Sequence, residues 1–508
     1  MQTADELRWW YGSAVPMDHQ REDVELHWQQ PRVGVFNDLG TGKTYTVAWM
    51  VSRRWFAGLI DRVIIAAPSL LFHDWKAAFE GAAMPGELVE FVDARPPLNS
   101  DIGELLQQPT TKLLVVITTY AALDAVDPKR ATGARVNFVI DEAHKAAGTS
   151  AKQALAASRL AAQCKFVDAM TATPEGRPTS LRWFGIVRLL RPDLLRLPGE
   201  GVVGAKAKPG SFVAFSSRYL KMSSNARGPR FPVGINQDRL NSDVLDYLKP
   251  VSCVRMKRDC LQLPDKVKVL RRFDLPERAQ RMMDDLVEED RAIVDGVDVV
   301  PSNALVAKLR CLELTGGWLA GMPVHSGKLE ALRGLLDEID DRYDDPRVII
   351  WASRRLEAKG AGLVAAGMAP DEALHAAVSM SDAEAVAYMA NNRVGLLNGA
   401  VSDANRDLAN TRWVAGEYTY VVAHPQVAGA GMNWQFATAT VYYGQPVGST
   451  LRVQSEDRMH RKGRSTVAMY YDLVMNDGPD EALVNAHAGQ RDACIDVLDW
   501  LRNYTKSP

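Results

Sequence analysis

A glycine-rich turn near the start of the chain holds the residues whose types and spacing most clearly suggest chemistry. The stretch from Val33 to Trp49 reads VGVFNDLGTGKTYTVAW, with an apolar run before the turn and a helix-forming segment after it. This order is the context of a phosphate-binding loop. Gly40 and Gly42 would let backbone N–H groups point at an anion, which the positive end of the helix dipole also attracts. Lys43 is placed for the β- and γ-phosphates of a nucleotide, and the Thr44 hydroxyl for a magnesium ion.

One position departs from the usual pattern G-x-x-x-x-G-K-[ST], because Asn37 stands where the first glycine is expected. By itself the turn is therefore also consistent with an ordinary glycine-rich surface loop. A second motif favours the nucleotide site: NFVIDEAHK (137–145) ends an apolar run in two carboxylates. Open α/β sheets bind ligands at the carboxyl ends of their strands. Asp141 is predicted to hold magnesium through water, and Glu142 to orient and deprotonate the attacking water. Paired acids on a helix surface are the alternative interpretation.

Three further side chains are candidates for the same site. The amide of Gln20 could bond both the donor and the acceptor edge of an adenine, although a solvated helix-start glutamine explains the spacing equally well. Gln454 to Arg464 reads QSEDRMHRKGR. If this stretch is a helix, Arg458 and Arg461 share a face and could stabilise the charge that builds on a leaving γ-phosphate. A solvated basic helix end is the alternative.

The elements that must position these residues follow two α/β patterns, one in each half of the chain. In the first half, buried strands are predicted at Val33–Phe36, Arg62–Pro68, Lys112–Thr119, Asn137–Ile140 and Lys165–Pro174, with a helix capped by Ser69 after the second. In the second half, strands are predicted at Arg347–Ser353, Tyr418–His424, Thr438–Tyr443 and Val467–Val474, the last of which closes the sheet. Between them, Gly199–Pro232 reads as loops, and helices are expected from Pro276 to Leu319, with breaks at Gly296 and Pro301. Helices are also expected from Ala361 to Asn391, interrupted at Pro370 and Ser381.

Composition limits the class of protein. A chain of 508 residues with 47% hydrophobic and 24% charged residues is expected to fold into two or three domains. The formal net charge of −2 gives no global basic field, so a nucleic-acid partner must be held by a local groove. Five scattered cysteines lack metal-ligand spacing and indicate reduced thiols. Without a secretory signal or a long apolar run, an intracellular protein of cytoplasm or nucleoid, with no membrane partner, is expected.

Taken together, the motifs resemble those of the superfamily-two helicases and translocases, and in particular their Swi/Snf-type branch. The resemblance covers about Met17 to Val474. It rests on segments that match, in chain order, motifs I (Asp38–Thr44), Ia (Pro68–Leu71 with Trp75), II (Asp141-Glu142-Ala143-His144), III (Thr171–Pro174), V (Gly429–Asn433) and VI (Gln454–Gly463). It also rests on Arg255–Asp259 with Leu263–Lys266, which resemble the segment between two motor lobes. Ser326–Leu329 resembles the entry to the second lobe. Two departures are a missing Trp-Asn-Pro element before motif VI, and Arg464 in place of its final glutamine.

The resemblance implies an α/β fold with two RecA-like doubly wound parallel-sheet lobes and a helical insertion between them. Lobe 1 would span 1–198, the insertion and linker 199–325, and lobe 2 326–508. The implied cofactors are ATP and Mg²⁺, and the implied nucleotide ligands are Gln20, Asp38, Leu39, Gly40, Thr41, Gly42, Lys43, Thr44, Gly431, Arg458 and Arg461.

The implied activity is ATP-driven movement of a monomeric motor on DNA, with double-stranded or branched DNA as the first choice of partner, single-stranded DNA as a further one, and roles in replication, recombination or repair. Compactness and composition hint at a bacterial or phage member. An RNA helicase and a non-hydrolysing, nucleotide-dependent clamp on nucleic acid remain open as alternatives.

Overall fold

A computed structural model of the chain describes residues 14–68, 71–82, 87–95, 102–131, 135–143, 152–172, 182–191, 219–222, 232–235, 248–428 and 432–488. The chain divides into two units, Met1–Leu261 and Gln262–Pro508. This division falls inside the range 199–325 that the sequence predicts as insertion and linker. The predicted limits of the three regions stay predictions.

The first unit is built on a seven-stranded parallel sheet with the strand order β3-β4-β2-β5-β6-β1-β9. Its strands are β1 (Arg32–Val35), β2 (Arg62–Ala66), β3 (Val89–Asp93), β4 (Leu113–Thr118), β5 (Val136–Ile140), β6 (Phe166–Met170) and β9 (Ser252–Cys253), and a separate antiparallel pair is formed by β7 (Leu220–Met222) and β8 (Pro232–Ile235). Because all seven strands are parallel, the residues that follow β1, β5 and β6 lie at one edge of the sheet.

Helices cover both faces of this sheet. Successive strand residues alternate between two cores: Ile64, Val116 and Phe138 pack in one, and the neighbouring Val63 and Val115 pack in the other. The helices are α1 (Asp18–His27), α2 (Lys43–Phe56), α3 (Phe72–Gly81), α4 (Ile102–Leu105), α5 (Lys152–Ala161), α6 (Arg182–Leu190) and α7 (Lys257–Cys260), with 3₁₀ turns at Ala122–Ala125, Pro128–Ala131 and Lys249–Val251. Side chains of α1, α2 and α3 belong to one core, and those of α4, α5 and α6 to the other.

A fully buried ion pair ties α2 to two central strands. The Arg54 guanidinium donates to Asp168 Oδ2 and to Asn137 Oδ1, each at 2.6 Å, and Asn137 Nδ2 donates to the same Asp168 oxygen at 2.8 Å. Both charged side chains have no exposed surface. The helix that begins at the phosphate loop is thus fixed to β5, which carries the acidic pair at its end.

The second unit has its own six-stranded parallel sheet, in the order β10-β19-β18-β15-β17-β16. The strands are β10 (Lys266–Phe273), β15 (Val348–Trp351), β16 (Val394–Leu397), β17 (Tyr420–Ala423), β18 (Ala439–Tyr442) and β19 (Ala468–Met475), and short antiparallel pairs join β11 (Ala292–Val294) to β12 (Val297–Val299) and β13 (Trp318–Leu319) to β14 (Met322–Pro323). The prediction that Val467–Val474 closes the sheet is wrong, because β10 lies outside β19. The KVKVLRRF sequence of β10 carries four cations, which suit the exposed edge of a sheet.

Helices again pack against both faces, since β15 and β17 send alternate residues into two cores. The helices are α8 (Glu277–Glu288), α9 (Ala304–Thr315), α10 (Gly327–Arg342), α11 (Arg355–Ala365), α12 (Pro370–Ser379), α13 (Asp382–Asn391), α14 (Asp403–Ala415), α15 (Ser449–Met459) and α16 (Pro479–Ala488). The predicted interruptions at Pro370 and Ser381 are confirmed as helix starts, and the Ser381 hydroxyl accepts from Glu384 N–H as an N-cap.

The predicted α/β fold with two RecA-like doubly wound parallel sheets is therefore confirmed, whereas the helical insertion stays a prediction. Cys164, Cys253, Cys260 and Cys311 are free thiols, and Cys494 lies outside the described residues. Within the described ranges, no helix is both long and apolar enough to cross a membrane.

Candidate functional site

The glycine-rich turn joins β1 to α2 as the sequence predicts. Gly40 and Gly42 adopt left-handed backbone angles, with φ of 75° and 82°. A Cβ at Gly42 would also lie only 2.3 Å from Gln20 Nε2. Gly42 is the N-cap of α2 and has no side chain that could cap the helix. The first N–H groups of a helix have no partner within the helix, and this makes a helix N-terminus suitable for anion binding.

The Lys43 ammonium lies inside this loop. It donates to the carbonyl oxygens of Asn37 and Asp38 at 2.9 and 3.0 Å. The Thr41 hydroxyl donates to the same Asp38 carbonyl at 2.7 Å, and Leu39 N–H donates to the Asp38 carboxylate at 2.7 Å. These bonds give the loop a defined shape around the ammonium group.

Helix α1 supports the loop from outside. The Nε2–H of His19 donates to the Thr41 carbonyl at 3.0 Å, and Gln20 Nε2 donates to the Gly42 carbonyl at 3.0 Å. Gln20 Oε1 accepts from Met17 N–H at 2.9 Å, and the side chain is buried. A primary amide offers two N–H donors and two acceptor lone pairs, so these bonds use half of its capacity. The structure thus gives Gln20 a role in holding the loop, and its predicted role at adenine stays a prediction.

The acidic pair follows β5 directly. Asp141 is buried, and its carboxylate accepts from the Trp75 indole N–H at 3.1 Å and from Glu142 N–H at 2.9 Å. The Tyr120 hydroxyl donates to the Asp141 carbonyl oxygen. Glu142 has a φ of 48°, a left-handed conformation that is uncommon for a residue with a side chain. Such backbone conformations cluster at functional sites.

Electrostatics connects the acidic pair to the loop. Burial, and then the charge of Glu142, raise the pKa of Asp141 to about 7, while the bond from Trp75 and the charge of Lys43 oppose that rise. Lys43 and Asp141 are therefore close enough to interact. Strand β6 lies between β1 and β5, and at its end Thr171 N–H donates to Val35 carbonyl at 3.1 Å. The loop and the two carboxylates thus share one edge of the sheet.

Two oxygen-bearing side chains fit a magnesium ion at this edge. Burial and the charge of Glu142 raise the pKa of the Asp141 carboxyl, and a bound divalent cation would favour its charged form. Thr44 lies in the first turn of α2, next to Lys43. Carboxylate and hydroxyl oxygens are the hard ligands that Mg²⁺ prefers.

Three supporting contacts could not be read from the sequence patterns. Asn37 donates through Nδ2 to Asp23 Oδ2 at 2.8 Å, His19 holds Thr41, and Tyr120 holds the Asp141 backbone. The one sequence signal for these contacts was Asn37 in place of the expected glycine, because an asparagine side chain inside a phosphate loop needs a hydrogen-bond partner. Several residues of the predicted motifs, His144, Thr173, Pro174, Ser69, Leu70, Gly429, Ala430 and Gly431, lie outside the described residues.

In the second unit, the two predicted arginines do not share a helical face. Helix α15 ends at Met459, so it contains Arg458 but not Arg461. The chain leaves the helix at His460, whose ring nitrogen Nε2 bonds to Pro264 carbonyl oxygen at 2.8 Å, and then turns through Gly463 with a φ of 98°. The premise that three-residue spacing aligns these guanidinium groups is therefore wrong.

Each of these arginines has a local partner. Arg458 is buried and donates to the Met432 carbonyl at 3.1 Å, while Arg461 donates to the Asp457 carbonyl at 2.8 Å. Arg464, which replaces an expected glutamine, donates to the carbonyl groups of Thr466, Gln435, Ala437 and Val467. Its four bonds hold the turn after α15, which explains the substitution structurally.

The fold and the loop together define an α/β protein with a phosphate-loop nucleotide site. In comparison with known families, residues 17–176, just under a third of the chain, match the family described as type III restriction enzyme, res subunit. This range includes the loop, Trp75 and the acidic pair, and it supports an ATP-using region of helicase type in the first unit.

Among solved structures, the SWI2/SNF2 ATPase core of Sulfolobus solfataricus in complex with double-stranded DNA is similar. The sequence identity is 16%, 98% of each chain is covered, and the TM-score is 0.40. No curated protein matches the chain.

Proposed function

We propose that this chain is an ATP-dependent DNA helicase or translocase of the Swi/Snf type, which couples ATP hydrolysis to movement on DNA. The observation that supports this proposal best is the shared sheet edge, where the charge of Lys43 opposes the rise in the pKa of Asp141. The match of residues 17–176 to a helicase-type family supports the same proposal.

ATP would bind with its β- and γ-phosphates on the loop. Lys43 would then exchange the carbonyl oxygens of Asn37 and Asp38 for phosphate oxygens, which carry more negative charge. The N–H groups from Gly40 to Thr44 would surround the phosphates, and the left-handed glycines allow that curvature. Gln20 would remain on Gly42 and present its free N–H and lone pair to adenine.

Asp141 and Thr44 would hold Mg²⁺, which neutralises phosphate charge when it is bound. Trp75 would fix the rotamer of the Asp141 carboxylate, because its indole donates to one carboxylate oxygen. Glu142 would orient the attacking water and accept its proton.

Arg458, Arg461 and Gly431 are proposed to act on the nucleotide during hydrolysis. An arginine acting on the leaving phosphate contributes about 10³–10⁵ in rate. Arg461→Ala should therefore reduce turnover by a factor in that range.

The proposal is tested by measuring ATP hydrolysis of the purified chain with duplex DNA, forked DNA, single-stranded DNA and RNA at several salt concentrations. Duplex or forked DNA should stimulate most, and stimulation should fall with salt because backbone phosphates supply the binding. Lys43→Ala should lose about 100-fold or more of the activity, whereas the exposed Lys112→Ala should not.

Different failures have different meanings. Stimulation by RNA alone would replace the DNA assignment by an RNA motor, and ATP binding without turnover would indicate a clamp. No stimulation by any nucleic acid would refute the motor. Strand displacement on forked and four-way-junction substrates then distinguishes unwinding from translocation.

A further inference from the structure

The last stretch of the first unit runs beside the phosphate loop. Strand β9 pairs with Gly34 and Val35, and the bonding continues beyond the strand. Phe36 N–H donates to the Cys253 carbonyl and Asp38 N–H donates to the Arg255 carbonyl, each at 2.8 Å. We call residues 252–257 the exit segment, because the first unit ends at Leu261 and the chain then enters the second.

The contact is reciprocal, since the exit segment also donates to the loop. Lys257 N–H donates to the Asp38 carboxylate at 3.3 Å. Asp38 is thus held through its backbone N–H and its side chain by residues more than 200 positions away, while its carbonyl oxygen accepts from Lys43.

A buried carboxylate adds a second connection between the same elements. Asp23, which is 1% exposed, accepts from Arg255 through Oδ1, with the Nε and Nη2 atoms at 2.9 and 2.8 Å. Its other oxygen, Oδ2, accepts from Asn37 Nδ2 at 2.8 Å, and Asn37 is fully buried. We call Asn37, Asp23 and Arg255 the Asp23 bridge. A buried carboxylate is stable only while it is paired, so the three side chains must move together.

We propose that the Asp23 bridge couples the nucleotide occupancy of the phosphate loop to the conformation of the exit segment, with Arg255 as a positioning residue. This inference rests on the proposed function. In the structure, Lys43 bonds to the carbonyl groups of Asn37 and Asp38, the two loop residues that the bridge and the exit segment hold. A triphosphate that draws the ammonium away changes the bonding of both residues.

Reciprocity makes the coupling measurable from either side. If nucleotide binding alters the exit segment, then releasing the exit segment must alter nucleotide affinity by the same factor. Couplings of this kind correspond to about 5- to 150-fold in affinity. In the described contacts Arg255 touches neither Lys43 nor the acidic pair, and its second ion-pair partner, Glu22, is 61% exposed. We therefore expect its effect on the site to pass through Asp23 and the loop backbone.

The experiment compares Arg255→Gln with Arg258→Gln in the full chain. Arg258 lies in the same stretch, but its side chain is 82% exposed and forms an ion pair with the neighbouring Asp259. Hydrogen–deuterium exchange of the peptide 252–261 is measured with and without a non-hydrolysable ATP analogue. The analogue should change exchange in the wild-type chain and in Arg258→Gln. In Arg255→Gln that response should disappear, and affinity for a fluorescent ATP analogue should fall about 10-fold.

Two further variants separate coupling from a general loss of structure. Asp23→Asn keeps an acceptor for Asn37 and removes the charge that Arg255 requires, so it should reproduce the Arg255→Gln response. The double variant should then be no worse than either single one, because both break the same connection. Arg255→Lys should restore part of the affinity.

A normal nucleotide response of the peptide 252–261 in Arg255→Gln would overturn the inference, as would additive losses in the double variant. Failure of the proposed function has a different signature: the wild-type peptide over 36–56 would show no protection by the analogue, and no variant would change that result.

Discussion

Replacing Asp141 by asparagine should remove a destabilising charge from the first unit while it abolishes turnover. Burial and the adjacent Glu142 raise the pKa of this carboxyl from 3.8 to about 7. Between these two values the native chain binds a proton that the unfolded chain releases. The free energy of unfolding therefore falls as the pH rises through this window, and it stays low above pH 7. Three pKa units at about 1.4 kcal/mol each correspond to roughly 4 kcal/mol.

The asparagine recovers only part of this energy. Its single amide oxygen faces two donors, the Trp75 indole and Glu142 N–H, and its own N–H₂ group must face one of them. An unsatisfied buried donor costs about 1–3 kcal/mol. At pH 8 the variant should be about 1–3 kcal/mol more stable than the wild type. Near pH 5 the wild-type carboxyl is largely protonated, so the gain should be small or reversed.

The measurement is urea denaturation of the nucleotide-free, magnesium-free chain from pH 5 to 8. Hydrogen exchange of the peptide that covers Val136–Ile140 reports on the first unit alone. Groups remote from position 141 titrate equally in both proteins, so the difference between them reports on Asp141 and on the neighbouring Glu142, with which its charge interacts. The exposed Asp124→Asn serves as a control that should give no pH-dependent difference. A constant difference between Asp141→Asn and wild type across this pH range would refute the reasoning.

Three other variants test separate parts of the structure. Glu142→Gln should abolish ATP hydrolysis and keep binding of a fluorescent ATP analogue, and full turnover would exclude Glu142 as the base. Arg54→Ala leaves Asp168 buried without its cation and should lower the stability of the first unit by about 3–5 kcal/mol in urea denaturation. Arg53→Ala should cost far less, because the ion-pair partner of Arg53, Glu25, is half exposed. Burial opposes it, but the charges of Arg452, Lys266 and Lys268 lower the pKa of Glu456 to about 2. The contribution of Glu456 to the free energy of unfolding, about 3 kcal/mol, is therefore present above pH 4.5 and lost as the pH falls toward 2. Glu456→Gln should therefore flatten the acid limb of the unfolding curve of the second unit; an unchanged limb would contradict this.

The strands that carry the site were predictable because they are buried on both faces. Such strands read as continuous apolar runs, and β2, β4 and β5 are fully buried throughout. The strands that escaped prediction lack that signal. β10 alternates cations with apolar residues, so its sequence resembles a linker, and β16 has only four residues, one of them glycine.

Within the site, local patterns predicted the loop and the acidic pair, and failed where partners are distant in sequence. Trp75 and Asp141 are 66 positions apart, and Asp23 and Arg255 are 232 apart, so no spacing rule connects them. The alignment of Arg458 with Arg461 failed for a different reason. It assumed that the helix continues, but the helix ends at Met459, and the next residue, His460, bonds to the Pro264 carbonyl oxygen.

The asparagine at position 37 is better explained by its contacts than as the erosion of a phosphate-loop pattern. The backbone there is not left-handed, so glycine is not required for conformational freedom. An asparagine instead provides a side-chain donor that reaches Asp23, while its carbonyl group still accepts from Lys43. With glycine at this position, Asp23 would lose the donor of Asn37, and the loop would lose its side-chain connection to Asp23 and Arg255. The residue that most weakens the sequence pattern is thus one of those through which the phosphate loop and the end of the first unit are joined.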